Sequence, residues 1–144
     1  MRLPPHNSQV ILFDGVCGLC NRFVRFVLKR DRRRLFYFAP LQGELSARIL
    51  KRHGRSPDAL DTVYLVREFG TGSEYLTHRS SAALRVLNQL GRLWILVNLF
   101  WLVPSRLRDF AYGLVAKSRY RLFGRHDHCP VPTDAERARF LWDS

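Results

Sequence analysis

Two cysteines three residues apart, Cys17 and Cys20, stand just after a short apolar run and open an amphipathic stretch. That placement narrows the fold more than any other feature of the chain. Gln9 to Phe13 (Q-V-I-L-F) reads as a buried strand that stops at the turn formers Asp14-Gly15. From Cys17 to Arg30 the apolar residues fall at Leu19, Phe23, Phe26 and Val27, which is the spacing of one helix face. Arg22, Arg25 and Lys29 occupy the other face, and cations near the helix end suit its dipole. The pair therefore sits where a strand hands over to the first turn of a helix.

The rest of the chain continues in the same style. Leu35 to Ala39 reads as a second strand stopped by Pro40, and Glu44 to His53 as a weaker helix ending at Gly54. Asp61 to Arg67 has the composition of a third strand. After the turn Gly70-Thr71-Gly72-Ser73, Glu74 to Thr77 returns as a fourth, making a hairpin. Ser80 or Ser81 is expected to cap a helix through Leu90, with Ala83, Leu84, Leu87 and Leu90 inward. Arg92 to Val103 reads as a helix apolar nearly all round, stopped by Pro104. Ser105 then caps a long helix with Leu107, Phe110, Ala111, Leu114 and Val115 at helical spacing. A polar tail from Gly124 is expected to end in a short helix, Thr133 to Leu141.

The order β-α-β-α-β-β-α is an α/β arrangement, and a parallel βαβ unit followed by a hairpin and a helix is that of a thioredoxin-like domain. A C-x-x-C beside a βαβ pattern points the same way. The expectation is one domain over residues 1–144. Residues 9–90 form its core, 92–123 a helical extension packed on it, and 124–144 a tail.

Composition removes other classes. Three cysteines are too few for a disulfide-stapled scaffold, and 47% hydrophobic residues suffice for a real core. The N-terminus lacks an apolar stretch of the signal-peptide kind, so a cytoplasmic location is expected. Leu93 to Val103, broken by Asn98, falls short of the roughly 20 residues that span a bilayer. A buried core helix is expected there, with an interfacial helix as the second reading. A net charge of +12 invites nucleic acid or an anionic membrane. Yet the basic residues are mostly arginine and spread along the chain. Only Arg30 to Arg34, interrupted by Asp31, is dense. Nucleic acid is not expected as a partner. Peripheral membrane contact through Leu93 to Val103, with Arg106 and Arg108 beside it, stays as an alternative.

The chemistry follows from the spacing. Residues three apart share a helix face within disulfide reach. The first cysteine meets unpaired N–H groups and the positive dipole end. Such sites lower a thiol pKa from about 8.5 into the range of roughly 3.5 to 7.5. Cys17, nearest the helix end and solvent, is expected to attack a substrate disulfide. Cys20, one turn in and more shielded, is expected to resolve the mixed disulfide. The substrate would be a protein or small-molecule disulfide or dithiol, with a redox partner the sequence does not name. No cofactor is expected. Asp14 has two readings: it accepts backbone N–H groups of the first turn, or it relays a proton when Cys20 is activated.

Two rivals remain. A strand ending Phe-Asp-Gly resembles a haloacid-dehalogenase start, but Val16 stands where that chemistry needs a second Asp. The other rival is zinc, held by Cys17, Cys20 and Cys129 with His128 or His126. Cys129 alone reads as an inert buried thiol or as a third redox thiol. His53, His78, His126 and His128 read as solvated surface groups.

Taken together, V-I-L-F-D-G-V-C-G-L-C, Arg30-Asp31, F-Y-F-A-P-L-Q and the stretch from Arg79 to Leu84 resemble the DCC family. That family is named for D-x-x-C-x-x-C. Val103 to Asp109, Tyr112, Lys117 to Arg121 and Asp127-x-Cys129 extend the resemblance. It implies a mostly bacterial thiol–disulfide oxidoreductase of thioredoxin-like fold, with Asp14, Cys17 and Cys20 as motif residues. Thioredoxins carry a cis-proline before the third strand, facing the cysteines. Here Ala59 to Val63 holds no proline, and Pro57 is too early.

Overall fold

The computed structural model describes residues 4–31, 33–56, 63–90, 99–123 and 139–141. A four-stranded sheet of order β2-β1-β3-β4 organises them. β1 (Gln9–Phe13) is one of its two inner strands. It pairs parallel with β2 (Phe36–Pro40), placing Phe13 beside Pro40, and antiparallel with β3 (Tyr64–Arg67). β4 (Tyr75–His78) closes a hairpin with β3. This is the mixed α/β order of a thioredoxin-like fold, as the sequence pattern leads one to expect.

β1 is apolar at successive positions because both faces of the sheet are covered. Ile11 and Phe13 join one core with Val24 and Val27 of α1 (Gly18–Arg30) and Ala82 and Val86 of α3 (Arg79–Asn88). Val10 and Leu12 join the other, with Leu45, Ile49 and Leu50 of α2 (Glu44–Arg52). Gly54, at φ +71°, ends α2 in the left-handed conformation suited to a residue without a Cβ. α4 (Ser105–Phe123) packs on α1 and α3. No helix among the described residues is long and apolar enough to cross a membrane.

Several boundaries differ from the sequence expectation, each for a physical reason. Pro40 belongs to β2, whose edge position tolerates a missing N–H. α3 starts at Arg79, with His78 at the cap position and no side-chain cap. Ser80, expected as a cap, lies inside α3 and donates to Asp109 Oδ1 of α4 at 2.6 Å. Ala82, Leu84 and Val86 are the buried residues of α3. Residues 99–102 form a 3₁₀ turn, not the end of an α-helix; residues 91–98 lie outside the described part. The expected helix from Thr133 to Leu141 is also overturned at its end. Phe140 makes a parallel bridge to Phe38, and the Leu141 N–H donates to Phe38 O at 2.7 Å. The open edge of β2 offers these residues backbone partners and both cores at once. Phe140 stacks on Phe38 (5.4 Å between centroids) in the first core, and Leu141 enters the second.

Two charged groups fix these elements. Asp31 accepts from the N–H groups of Leu35 (3.0 Å) and Phe36 (3.1 Å) and pairs with Arg139, holding the tail against the turn between α1 and β2. Glu74 accepts from the Gly70 N–H (2.7 Å) and from Arg52 (2.6 Å), with His53 Nε2 at 2.8 Å. It ties α2 to the β-hairpin, so His53 is a hydrogen-bond partner of Glu74 and not a solvated bystander.

Burial pushes the Glu74 carboxyl up, but the bonds from Gly70, Arg52 and His53 outweigh it and hold the group below the usual carboxylate range. A depressed folded pKa means that the stabilisation is full above the unfolded value of about 4.3 and fades as pH falls through the folded one. Glu74→Gln should therefore cost about 1 kcal/mol at neutral pH. Urea midpoints should show that difference shrinking as pH falls below about 4. Phe140→Ala should cost about 3 kcal/mol in the same assay; an unchanged midpoint would show that the tail contact contributes nothing.

Candidate active site

Cys17 is the N-cap of α1, in extended conformation at φ −83° and ψ 125°. Its Sγ accepts the backbone N–H of Cys20 at 3.4 Å. α1 has no acidic residue in its first turn, so nothing on the helix itself offsets the positive dipole end.

The turn that delivers Cys17 is built on Asp14, which has no exposed surface. Its Oδ1 accepts from the Val16 N–H at 3.1 Å, closing an Asx turn, and from Gln42 Nε2 at 2.7 Å. Gln42 also reaches back: its Oε1 accepts the Gly15 N–H at 3.1 Å. The Asp14 carbonyl accepts the Cys17 N–H at 3.2 Å. Asn21, one turn into α1, donates to the carbonyls of Gly15 (2.8 Å) and Cys17 (2.9 Å). Asp14 accepts a backbone N–H, but it is that of Val16, one residue before the helix cap, and not one from the first turn of α1 as its structural reading expects.

Asn21 and Gln42 have no role in the sequence reading. A signal for each exists. Asn21 follows the second cysteine directly, where a donor can reach the carbonyls of the preceding turn. Gln42 follows the end of β2, the parallel neighbour of the strand that ends at Asp14. Parallel pairing places the two strand ends side by side, and the Leu41 N–H bonded to Phe13 O at 2.7 Å secures the contact.

Exposure runs opposite to expectation. Cys17 shows 0% and Cys20 8%. The Asp14 turn folds the helix start onto the sheet, and both cysteines enter the core shared by Phe13, Val63 and Phe140. Cys20, not Cys17, lines a pocket of about 160 Å³. Leu19 and Phe23 of α1, Val63, Ala83 of α3, and Tyr112 with Val115 and Ala116 of α4 complete its wall, which is almost wholly apolar. Val63 stands just before β3, where thioredoxins place their proline. Its N–H donates to the Tyr112 hydroxyl at 3.1 Å. α4 is thereby anchored beside the cysteines by a residue that its apolar spacing does not mark.

His126, His128, Cys129, Pro57 and residues 59–62 lie outside the described part. Among the described residues, no three His, Cys, Asp or Glu side chains converge on a metal-sized site. The zinc alternative takes Cys17 and Cys20 from the described part and His128 and Cys129 from beyond it.

Comparison with known proteins places the chain. The family model for DCC1-like thiol-disulfide oxidoreductase matches residues 11–125. The uncharacterized protein YuxK of Bacillus subtilis is 39% identical over 134 residues, covering 93% of this chain and 94% of that protein. The chloroplastic DCC family protein At1g52590 of Arabidopsis thaliana is 39% identical over 123 residues, covering 85% of this chain and 69% of its own length. No solved structure matches the chain significantly.

Asp14→Asn keeps an oxygen that can accept the Val16 N–H, so its stability should fall by less than about 1 kcal/mol. Asp14→Leu leaves the Val16 N–H and the Gln42 amide without their acceptor and should cost about 2 to 3 kcal/mol. Chemical denaturation of the two variants side by side checks the difference. Equal losses would mean that the turn does not depend on the oxygen.

Proposed function

Because the chain belongs to the DCC1-like thiol-disulfide oxidoreductase family, we propose that it exchanges electrons with disulfides or dithiols through a Cys17–Cys20 couple. The observation that carries this reading is the Cys17 Sγ at the cap of α1, accepting the Cys20 N–H. A sulfur held there is stabilised as a thiolate by the helix end.

In the reducing direction the Cys17 thiolate attacks one sulfur of the substrate disulfide. That bond breaks, and the departing thiolate takes a proton from solvent. Cys20, once deprotonated, attacks Cys17 Sγ in the mixed disulfide. The second substrate thiol leaves, and a Cys17–Cys20 disulfide remains. Two electrons have passed to the substrate. The oxidising direction is the reverse. Sulfur carries both electrons, so the scheme requires no cofactor.

Burial of Cys17 gives the scheme a condition: its sulfur must become accessible for the attack, since Cys20 and not Cys17 lines the apolar pocket. A substrate approaching through that pocket would carry apolar groups beside its reacting sulfur. Asp14 has a positioning role through the turn, and a proton-relay role for Cys20 is the finer alternative.

The test is a redox titration with thiol trapping, combined with reduction of a disulfide probe. Cys17→Ser should abolish probe reduction. Cys20→Ser should leave Cys17 able to form a mixed disulfide that accumulates. If either single variant retains full turnover, the two-cysteine scheme is wrong. Asp14→Asn separates the roles of that residue: unchanged exchange with an unchanged pH profile leaves positioning alone, and a slowed resolving step with a shifted profile assigns the relay.

A further inference from the structure

α4 turns Asp109 and the Tyr112 hydroxyl toward the protein and several of its apolar side chains toward water. Asp109 is bonded to Ser80, and the Tyr112 hydroxyl accepts from Val63. Leu107, Phe110 and Leu114, spaced as one helical stripe, are more than half exposed, Phe110 at 66%. Leu99, Phe100 and Leu102 in the preceding turn are exposed as well, Leu102 at 82%. Scattered exposed apolar residues are ordinary, but a contiguous set marks a contact surface.

The turn is held in this attitude. Its Trp101 ring lies beneath the guanidinium of Arg108 (4.7 Å) and near that of Arg85 (5.6 Å). Arg108 Nε also donates to Val103 O at 3.2 Å. Fixing Trp101 from the protein side leaves its neighbours outward, and a surface already ordered loses little entropy on docking.

Charge selects the occupant. Arg106, Lys117 and Arg121 are exposed on α4 beside the apolar stripe. The only acidic residue of the helix is Asp109, and it is committed inward. A second copy of the chain would set these cations against themselves.

We propose that the 99–102 turn and the outward face of α4 dock this protein peripherally on an anionic membrane surface. Leu99, Phe100, Leu102, Leu107, Phe110 and Leu114 enter the headgroup–acyl boundary, and the cations meet lipid phosphates. This site differs from the Leu93 to Val103 stretch that the sequence suggests. It comprises the end of that stretch together with a helix expected to pack inward.

The test is sedimentation of the full chain with vesicles of phosphatidylcholine plus phosphatidylglycerol, and with phosphatidylcholine alone. Binding should require the anionic lipid and should weaken as salt screens it. Phe110→Asp with Leu114→Asp should reduce partition about tenfold or more, as should Lys117→Glu with Arg121→Glu. Each pair should leave the thermal midpoint near wild type, because all four side chains are exposed. Absence of wild-type binding at low salt overturns the proposal, as does undiminished binding of either double variant. A lipid-free dimer that Phe110→Asp/Leu114→Asp dissolves would assign the face to a second copy and overturn it too. The assay reads binding only, so its failure leaves the redox reading untouched, and the reverse holds.

Discussion

A carboxyl group with no exposed surface sits where β1 gives way to α1, and the geometry around the cysteines depends on how it is satisfied. Burying a carboxyl without partners is costly. Asp14 has the Val16 N–H and the Gln42 amide, and each of those bonds shapes the turn. The turn in turn sets Cys17 at the helix cap and Cys20 three residues on. Gln42 comes from the far end of β2, so the parallel pairing of the two strands is part of the same construction. Asn21 closes it from the helix side. The motif is thus better understood as a five-residue arrangement, Asp14, Cys17, Cys20, Asn21 and Gln42, than as two sulfurs on a helix.

The sequence was most legible where local pattern and burial agree. β1 has the expected bounds, and α1 and α2 lie within a residue of them, because in each the apolar period faces a core and the flanking residues are turn formers or caps. It was least legible where tertiary partners override local preference. Ser80 has the chemistry of a cap but finds Asp109 across the helix interface. The periodic stripe of α4 reads as a core face. Yet Leu107, Phe110 and Leu114 of that stripe are exposed, and polar bonds from Asp109 to Ser80 and from the Val63 backbone to Tyr112 hold the helix. Phe140 and Leu141 read as the end of a helix, yet the unpaired edge of β2 captures them. Gln42 could be placed only by knowing that β2 runs parallel to β1.

α4 has two faces with different duties. Its inner face walls the pocket beside Cys20 with Tyr112, Val115 and Ala116. A second apolar hollow, lined by Phe100, Ala83, Tyr112 and Val115 among others, shares three of those residues with the first. The surroundings of the cysteines and the exposed turn at 99–102 are therefore joined by one helix and its neighbours. A substitution at Tyr112 or Val115 would be felt in both places.

The clasp between the tail and β2 has a consequence for synthesis. Arg139 reaches Phe36 O across 103 positions of chain, and Phe140 bridges Phe38 nearby. At about 5 to 20 residues per second, a ribosome needs roughly 5 to 20 s to make that interval. For that time the outer edge of β2 carries unpaired backbone groups while the nascent chain already holds both cysteines. An open edge is a template for pairing with another strand. The edge of the nascent protein is thus open to a neighbouring strand until its own later residues arrive, and the Asp31–Arg139 pair is one of the contacts that hold those residues in the folded protein.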